Sequence, residues 1–261
     1  MSYAVALGGT EQNTQPERRG VIGAIKGEHN MQTLWNRAVI LGVAALMVSG
    51  MQAWAGSATG TVKFEGQPPA LKPLDTSADP VCHSKHKDKP LQNEVLVLGP
   101  GQTLGNVLVR VTKGAPAKEH PAPADPVVLT QEGCRYSPHV FVIRAGQALK
   151  VLNPDGILHN VHSLPKTNTA LNKAMPANLT EMETKFDKVE EPFAFKCDIH
   201  PWMQAWCFVT DNPYYSITKD DGVFNIDGLD AGEYEITAWH ERLGTKTATV
   251  TVKDGEPAKV D

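Results

Sequence analysis

From residue 56 onward, apolar and polar positions alternate in short runs with a period of two, as half-buried strands require. Gly60-Thr61-Val62-Lys63-Phe64-Glu65-Gly66 alternates and stops at Gly66, ahead of Pro68-Pro69. Residues 104–111 form a second run, with Val107, Val109 and Val111 on one face. Apolar runs at 140–143 and 149–152 are separated by Gly146. In Phe193-Ala194-Phe195-Lys196-Cys197 the alternation puts Phe193, Phe195 and Cys197 on a common face, with the cysteine at the end of the strand. Further on, Asp220-Asp221-Gly222 predicts a hairpin turn between strands at 215–218 and 223–226, and strands at 234–240 and 245–252 follow. Helical periodicity is weak, and a turn or two of helix is expected only within 169–179. With 19 Pro and 22 Gly in the chain to supply turns, the pattern predicts an all-β fold of the sandwich type.

The start of the chain does not share this pattern. Residues 1–30 are polar, mixed in charge and aperiodic, and are read as a disordered extension. Met31-Gln32-Thr33-Leu34-Trp35-Asn36-Arg37 then opens a positively charged segment. An apolar run at 38–47 and the small-x-small site Ala53-Trp54-Ala55 complete a secretory signal peptide at 31–55. This predicts translation from Met31, cleavage before Gly56 and a periplasmic or secreted protein. A single membrane anchor is the competing reading, although the apolar run is short for a bilayer. Composition divides the rest into an N-terminal β segment at 56–113, a Pro/Ala-rich linker at 114–126, a central part at 127–211 and a C-terminal β segment at 212–261. A formal charge of −4, from 25 basic and 29 acidic residues, lacks the basic face that nucleic acid would call for.

The candidate chemistry lies in Cys197-Asp198-Ile199-His200-Pro201-Trp202-Met203. A thiolate, an imidazole and a thioether recur at three-residue spacing in one tight loop, with Pro201 ending regular structure. Zinc takes Cys, His and carboxylate but has no use for a thioether, whereas a type 1 copper site is built from His2Cys with a weak axial Met. His159, in Asn153-Pro154-Asp155-Gly156-Ile157-Leu158-His159-Asn160-Val161, supplies the second imidazole. His162 is the rival, placed on the other face by its offset along the strand. Cys82-His83-Ser84-Lys85-His86-Lys87-Asp88-Lys89 is read as a solvated basic loop rather than a second metal site, and His139 as a structural or edge histidine. Haem attachment is excluded by the lack of Cys-x2-Cys-His.

The upstream Asn…His-Asn strand and the downstream Cys…His…Met loop resemble those of the cupredoxins, and the Cys-x2-His-x2-Met spacing with Pro after the His is similar to that of amicyanin. The resemblance covers residues 126–210, about a third of the chain. It implies a Greek-key β-sandwich and one type 1 copper ligated by His159, Cys197, His200 and Met203, with Asn160 helping to hold the cysteine sulfur. The C-terminal run Asp-Gly-x-Phe-x-Ile…Leu-x-Ala-Gly-x-Tyr-x-Ile, from Asp221 to Ile236, looks like half of a carboxypeptidase regulatory-like sandwich. Gly60 to Pro68 and Asn106 to Val111 look like its missing half. The expected architecture is therefore a cupredoxin-like sandwich inserted into a second, smaller sandwich built from the flanking N- and C-terminal strands.

Of the four cysteines, Cys197 is assigned to copper. Cys82, in an irregular loop, is expected to pair with Cys134 after its turn-like Glu-Gly, leaving Cys207 unpaired in mid-strand. Functionally, the resemblance implies a one-electron carrier between periplasmic partners such as a c-type cytochrome or a dehydrogenase. The alternative is a copper-binding or chaperone module with a structural metal. An enzyme is not expected: no His-x-His is present for a further copper centre, and Trp239-His240-Glu241 is read as packing plus a turn. The loop also suggests that His159 is buried and His200 exposed beside an apolar Trp202 patch.

Overall fold

The computed structural model describes residues 55–260. The extension at 1–30 and nearly all of the export segment at 31–55 lie outside the described residues. No helix among the described residues is long and apolar enough to cross a membrane.

The regular structure of the described chain is nearly all strand: β1 (Gly56–Thr61), β2 (Leu108–Lys113), β3 (Val127–Thr130), β4 (Val140–Arg144), β5 (Ala148–Leu152), β6 (His159–Ser163), β7 (Asn172–Met175), β8 (Glu181–Lys185), β9 (Glu190–Lys196), β10 (Gln204–Thr210), β11 (Tyr215–Ile217), β12 (Val223–Leu229), β13 (Gly232–His240), β14 (Gly244–Val252) and β15 (Pro257–Val260). A single α-helix, α1 (Pro80–His86), and one 3-10 turn at Pro100–Gln102 interrupt it.

The strands make two sandwiches. In the larger, the sheet β4-β10-β9-β6-β7 faces β3-β5-β8 around Leu129, Phe141, Ile143, Leu149, Val151, Phe186, Phe193 and Phe195. In the smaller, β12-β1-β15 faces β11-β2-β13-β14 around Ala58, Val109, Phe224, Ile226, Tyr234 and Ile236. The smaller sandwich draws on both flanks of the larger one, with Gly60 opposite Phe224 and Val109 opposite Ala238.

Leu108, Val142 and Phe208 form a third cluster where the two sandwiches meet. The ion pair Arg110–Glu191 spans the same junction, but its glutamate is 72% exposed. Such a pair contributes about 0–1 kcal/mol, against about 1.5–3 kcal/mol for each buried apolar side chain, so packing holds the junction.

Three local expectations are corrected. Residues 172–175, within the stretch expected to be helical, form the edge strand β7, because His159 and Met175 pair across the ladder and Pro176 stops it. The helix lies instead at Pro80–His86, where Pro80 occupies the first turn and Asp79 caps it by accepting from the amides of Val81 (2.8 Å) and Cys82 (2.9 Å). The supposed hairpin at Asp220-Asp221-Gly222 is a turn, but its flanking strands separate: β11 joins β2 and β12 joins β1, in opposite sheets. Gly222 is needed there, since φ is +68° and a Cβ would fall 2.4 Å from the Val62 carbonyl oxygen.

Cys82 and Cys134 form a disulfide as expected, and Cys197 and Cys207 are free and buried. Closing a chain separation of 52 residues restricts the unfolded state by about 4 kcal/mol in the chain-entropy picture.

Candidate metal centre

Two strands and one loop bring the donors together. β6 carries His159 and Asn160, and β9 ends at Lys196 so that Cys197 opens the loop into β10. The loop closes on itself: the Met203 amide donates to the His200 carbonyl at 2.9 Å and the Cys197 amide to the Met203 carbonyl at 3.3 Å. Tyr136 fixes the two strands by donating its hydroxyl to the carbonyls of Asn160 and Lys196. Burial and the nearby Cys197 and Asp198 push the tyrosine pKa far up, so the hydroxyl remains a donor.

The ligand atoms of His159, Cys197 and His200 lie within 4.8 Å of one another, and all three residues are buried. His200 Nδ1 is 3.7 Å from Cys197 Sγ, and the two Nδ1 atoms face each other at 3.0 Å. Each imidazole presents its other nitrogen to a carboxylate. His159 Nε2 meets Asp155 Oδ2 at 3.0 Å, and His200 Nε2 meets Asp79 Oδ2 at 3.4 Å. A neutral imidazole that donates from Nε2 has only a lone pair on Nδ1. With both rings neutral and donating from Nε2, two lone pairs would face each other across 3.0 Å beside a sulfur, an arrangement that a cation between them would relieve. Two nitrogens each about 2.0–2.1 Å from one ion are separated by about 3 Å, so the spacing fits a shared metal.

The surroundings of the sulfur favour its anionic form. Burial alone would raise the Cys197 thiol pKa, but the His200 imidazole and the amides of His200, Asn160 and Ile199 together hold it below the usual thiol range. The Asn160 amide is 3.3 Å from Sγ, and its side-chain oxygen accepts from the Asp198 amide at 3.1 Å, so Asn160 joins strand to loop. Met203 is 1% exposed and belongs to the same apolar cluster as Cys197. A second thioether, Met175, pairs opposite His159 but accepts from Gln131 Nε2 at 3.0 Å. Two imidazoles beside one cysteine sulfur are donors that copper and zinc both accept, and a thioether from the buried Met203 would favour copper.

His162 is not part of this set. It is half-buried and bonded to the Asp198 carboxylate at 3.0 Å. His139 is structural, held between the Gln204 carbonyl and the buried Glu241. One expectation is overturned. His200 is 1% exposed rather than solvent-facing, because Asp79 and Cys82 of the N-terminal segment cover its outer edge. Trp202 is half-buried and donates to the Cys134 carbonyl at 3.0 Å, which ties the ring to the disulfide. The basic cluster is likewise not merely solvated: Cys82 is buried and Lys85 pairs with Asp155.

Spacing along the chain does not reveal Asp79 or Asp155 as partners of the two histidines. The only local signal was Asp155 four residues before His159. The other candidate metal groupings among the described residues, Asp79-Cys82-His200 and Cys134-Asp155-His159, share these histidines and contain disulfide cysteines.

No protein-family model matches the chain, and no curated protein matches it. Among solved structures, amicyanin from Paracoccus versutus is 24% identical over 39% of this chain and 97% of its own, at a TM-score of 0.29. A purple cupredoxin from Nitrosopumilus maritimus is 22% identical over 32% of this chain and 99% of its own, at 0.27. A copper-containing nitrite reductase from Thermus scotoductus is 18% identical over 39% of this chain and 28% of its own, at 0.31.

Proposed function

We propose that the protein is an exported one-electron carrier with a single type 1 copper, held by His159, Cys197, His200 and Met203 in a cupredoxin-like part at 127–211. The observation that carries this reading is the meeting of two imidazole Nδ1 atoms at 3.0 Å beside the Cys197 sulfur, with each outer nitrogen facing a carboxylate, Asp155 at 3.0 Å and Asp79 at 3.4 Å. Copper bound there would supply a reversible one-electron couple. The chain's part is to hold the donors fixed and dry: exposure is 0% at His159, 3% at Cys197, 1% at His200 and 1% at Met203. Enclosure of this kind favours electron exchange through the protein over chemistry on a bound substrate, and supports reading the chain as a carrier rather than an enzyme. It also speaks against metal handover, since both imidazoles are buttressed from outside. The flanking segments at 56–113 and 212–261 are read as a carboxypeptidase regulatory-like sandwich framing the copper-binding part. The partner would be a periplasmic redox protein such as a c-type cytochrome or a dehydrogenase.

The test is the visible spectrum of the purified protein after addition of copper(II), followed by stopped-flow mixing with a reduced c-type cytochrome. An intense blue thiolate-to-copper band that bleaches on mixing is expected. A colourless protein that retains zinc against copper would refute the reading.

A further inference from the structure

The covering of His200 comes from a distant part of the chain. Asp79 divides its carboxylate between two tasks: Oδ1 caps α1 by accepting from Val81 and Cys82, while Oδ2 faces His200 Nε2 at 3.4 Å. The helix it caps is stapled by the Cys82–Cys134 disulfide, and Cys82 Sγ itself lies 3.8 Å from His200 Nε2. The far end of the staple leads to the second histidine. Asp155 accepts from the amides of Gly133 (2.9 Å) and Cys134 (2.7 Å), pairs with Lys85 of α1, and receives His159 Nε2 at 3.0 Å. One short helix thus governs the outer nitrogen of both imidazoles, directly through Asp79 and at one remove through Lys85 and Asp155.

We propose that Asp79 is a positioning residue for the metal centre. Delivered by the disulfide-stapled helix, it fixes the His200 tautomer and places a negative charge behind the imidazole. The inference rests on the copper reading of the site. A carboxylate on the far nitrogen of a ligating histidine orients the ring and raises its basicity. A negative charge there also stabilises the more positive, oxidised metal, so its removal raises the reduction potential. Nothing in the Cys-x2-His-x2-Met loop itself supplies this charge: Asp198 is taken by His162 and Asn172.

The two tasks of Asp79 can be separated by substitution. Asp79→Ser keeps a hydroxyl able to cap α1 but withdraws the oxygen from His200. Asp79→Asn keeps both cap and size but removes the charge. Competition titration of copper(II) against a chelator and a redox titration of the loaded protein are read for both variants beside the parent. Both variants should bind copper about 10- to 100-fold more weakly and show a higher potential, with the metal-free thermal midpoint of Asp79→Asn close to the parent's. Parent-like affinity and potential in both variants, with the parent itself blue, would overturn the role of Asp79 and leave the copper reading standing. A parent that takes up no copper would overturn both.

Discussion

At the scale of single residues, the four donors should not be equivalent. Cys197→Ser removes the thiolate that makes the strongest bond and the colour, so copper(II) titration should give no blue band. If Met203 supplies the weak thioether of a type 1 copper site, Met203→Gln should keep the blue colour and shift the potential. Met203 is also part of the core, so burying an amide there should cost about 1–3 kcal/mol, visible as a lower denaturant midpoint of the metal-free protein. Loss of all metal binding in Met203→Gln would contradict the blue-copper reading of the loop. The three loop donors were legible because they lie three residues apart, and His159 because it stands in an Asn…His-Asn stretch, between Asn153 and Asn160. The carboxylates were not legible. Asp79 reaches His200 only because a disulfide and a helix cap bring a remote segment over the loop, and no periodicity encodes such a contact.

At the scale of elements, period-two alternation located most strands but not their partners. The stretch at 215–226 reads as a hairpin because the turn chemistry is right, yet Tyr215 pairs with Arg110 and Phe224 with Gly60. Which sheet a strand joins depended on the apolar faces of β1 and β2, offered from far upstream. The helix α1 was missed for the opposite reason, its signals being a cap and a proline in a charged stretch without an apolar stripe. Backbone approach adds a constraint that composition hides. A Cβ on Gly60 would lie 1.5 Å from the Val260 carbonyl oxygen, on the parallel strand β15. Gly60→Ala should therefore displace β15, with faster amide exchange confined to Pro257–Val260 and β1. Exchange unchanged in those strands would contradict the close packing of β1 on β15.

At the scale of the whole molecule, a buried polar group joins the two sandwiches. Glu241, in the turn after β13, accepts from Trp206 of β10 at 2.9 Å and pairs with His139 ahead of β4, while His240 is buried beside it. Burial, opposed by Glu241 and assisted by His139, lowers the His240 pKa. The unfolded chain, with a histidine pKa of about 6.5, then binds the proton more readily than the folded one. Stability from neutral His240 is thus present above about pH 6.5 and lost as pH falls through the lower folded value. Burial works to raise the Glu241 pKa, but the hydrogen bond and charge of His139 and the hydrogen bond from Trp206 outweigh it, so its contribution is full above the ordinary carboxylate pKa and is lost as the pH falls from there through the lower folded value. The urea midpoint should rise as the pH is raised toward about 6.5, and His240→Gln should flatten that slope; a parent curve already flat below that pH would contradict the assignment. The nesting of the sandwiches carries a further consequence, for the order in which the molecule can assemble. Contacts such as Thr59 with Phe224 span 165 residues, whereas the larger sandwich is closed within the middle of the chain. During synthesis the middle can therefore fold first, and β1 must wait for β12 and β15 with its edges unpaired. A chain stopped after β11 would carry a complete donor loop and still display an orphan strand, ready to pair with the same strand of another copy.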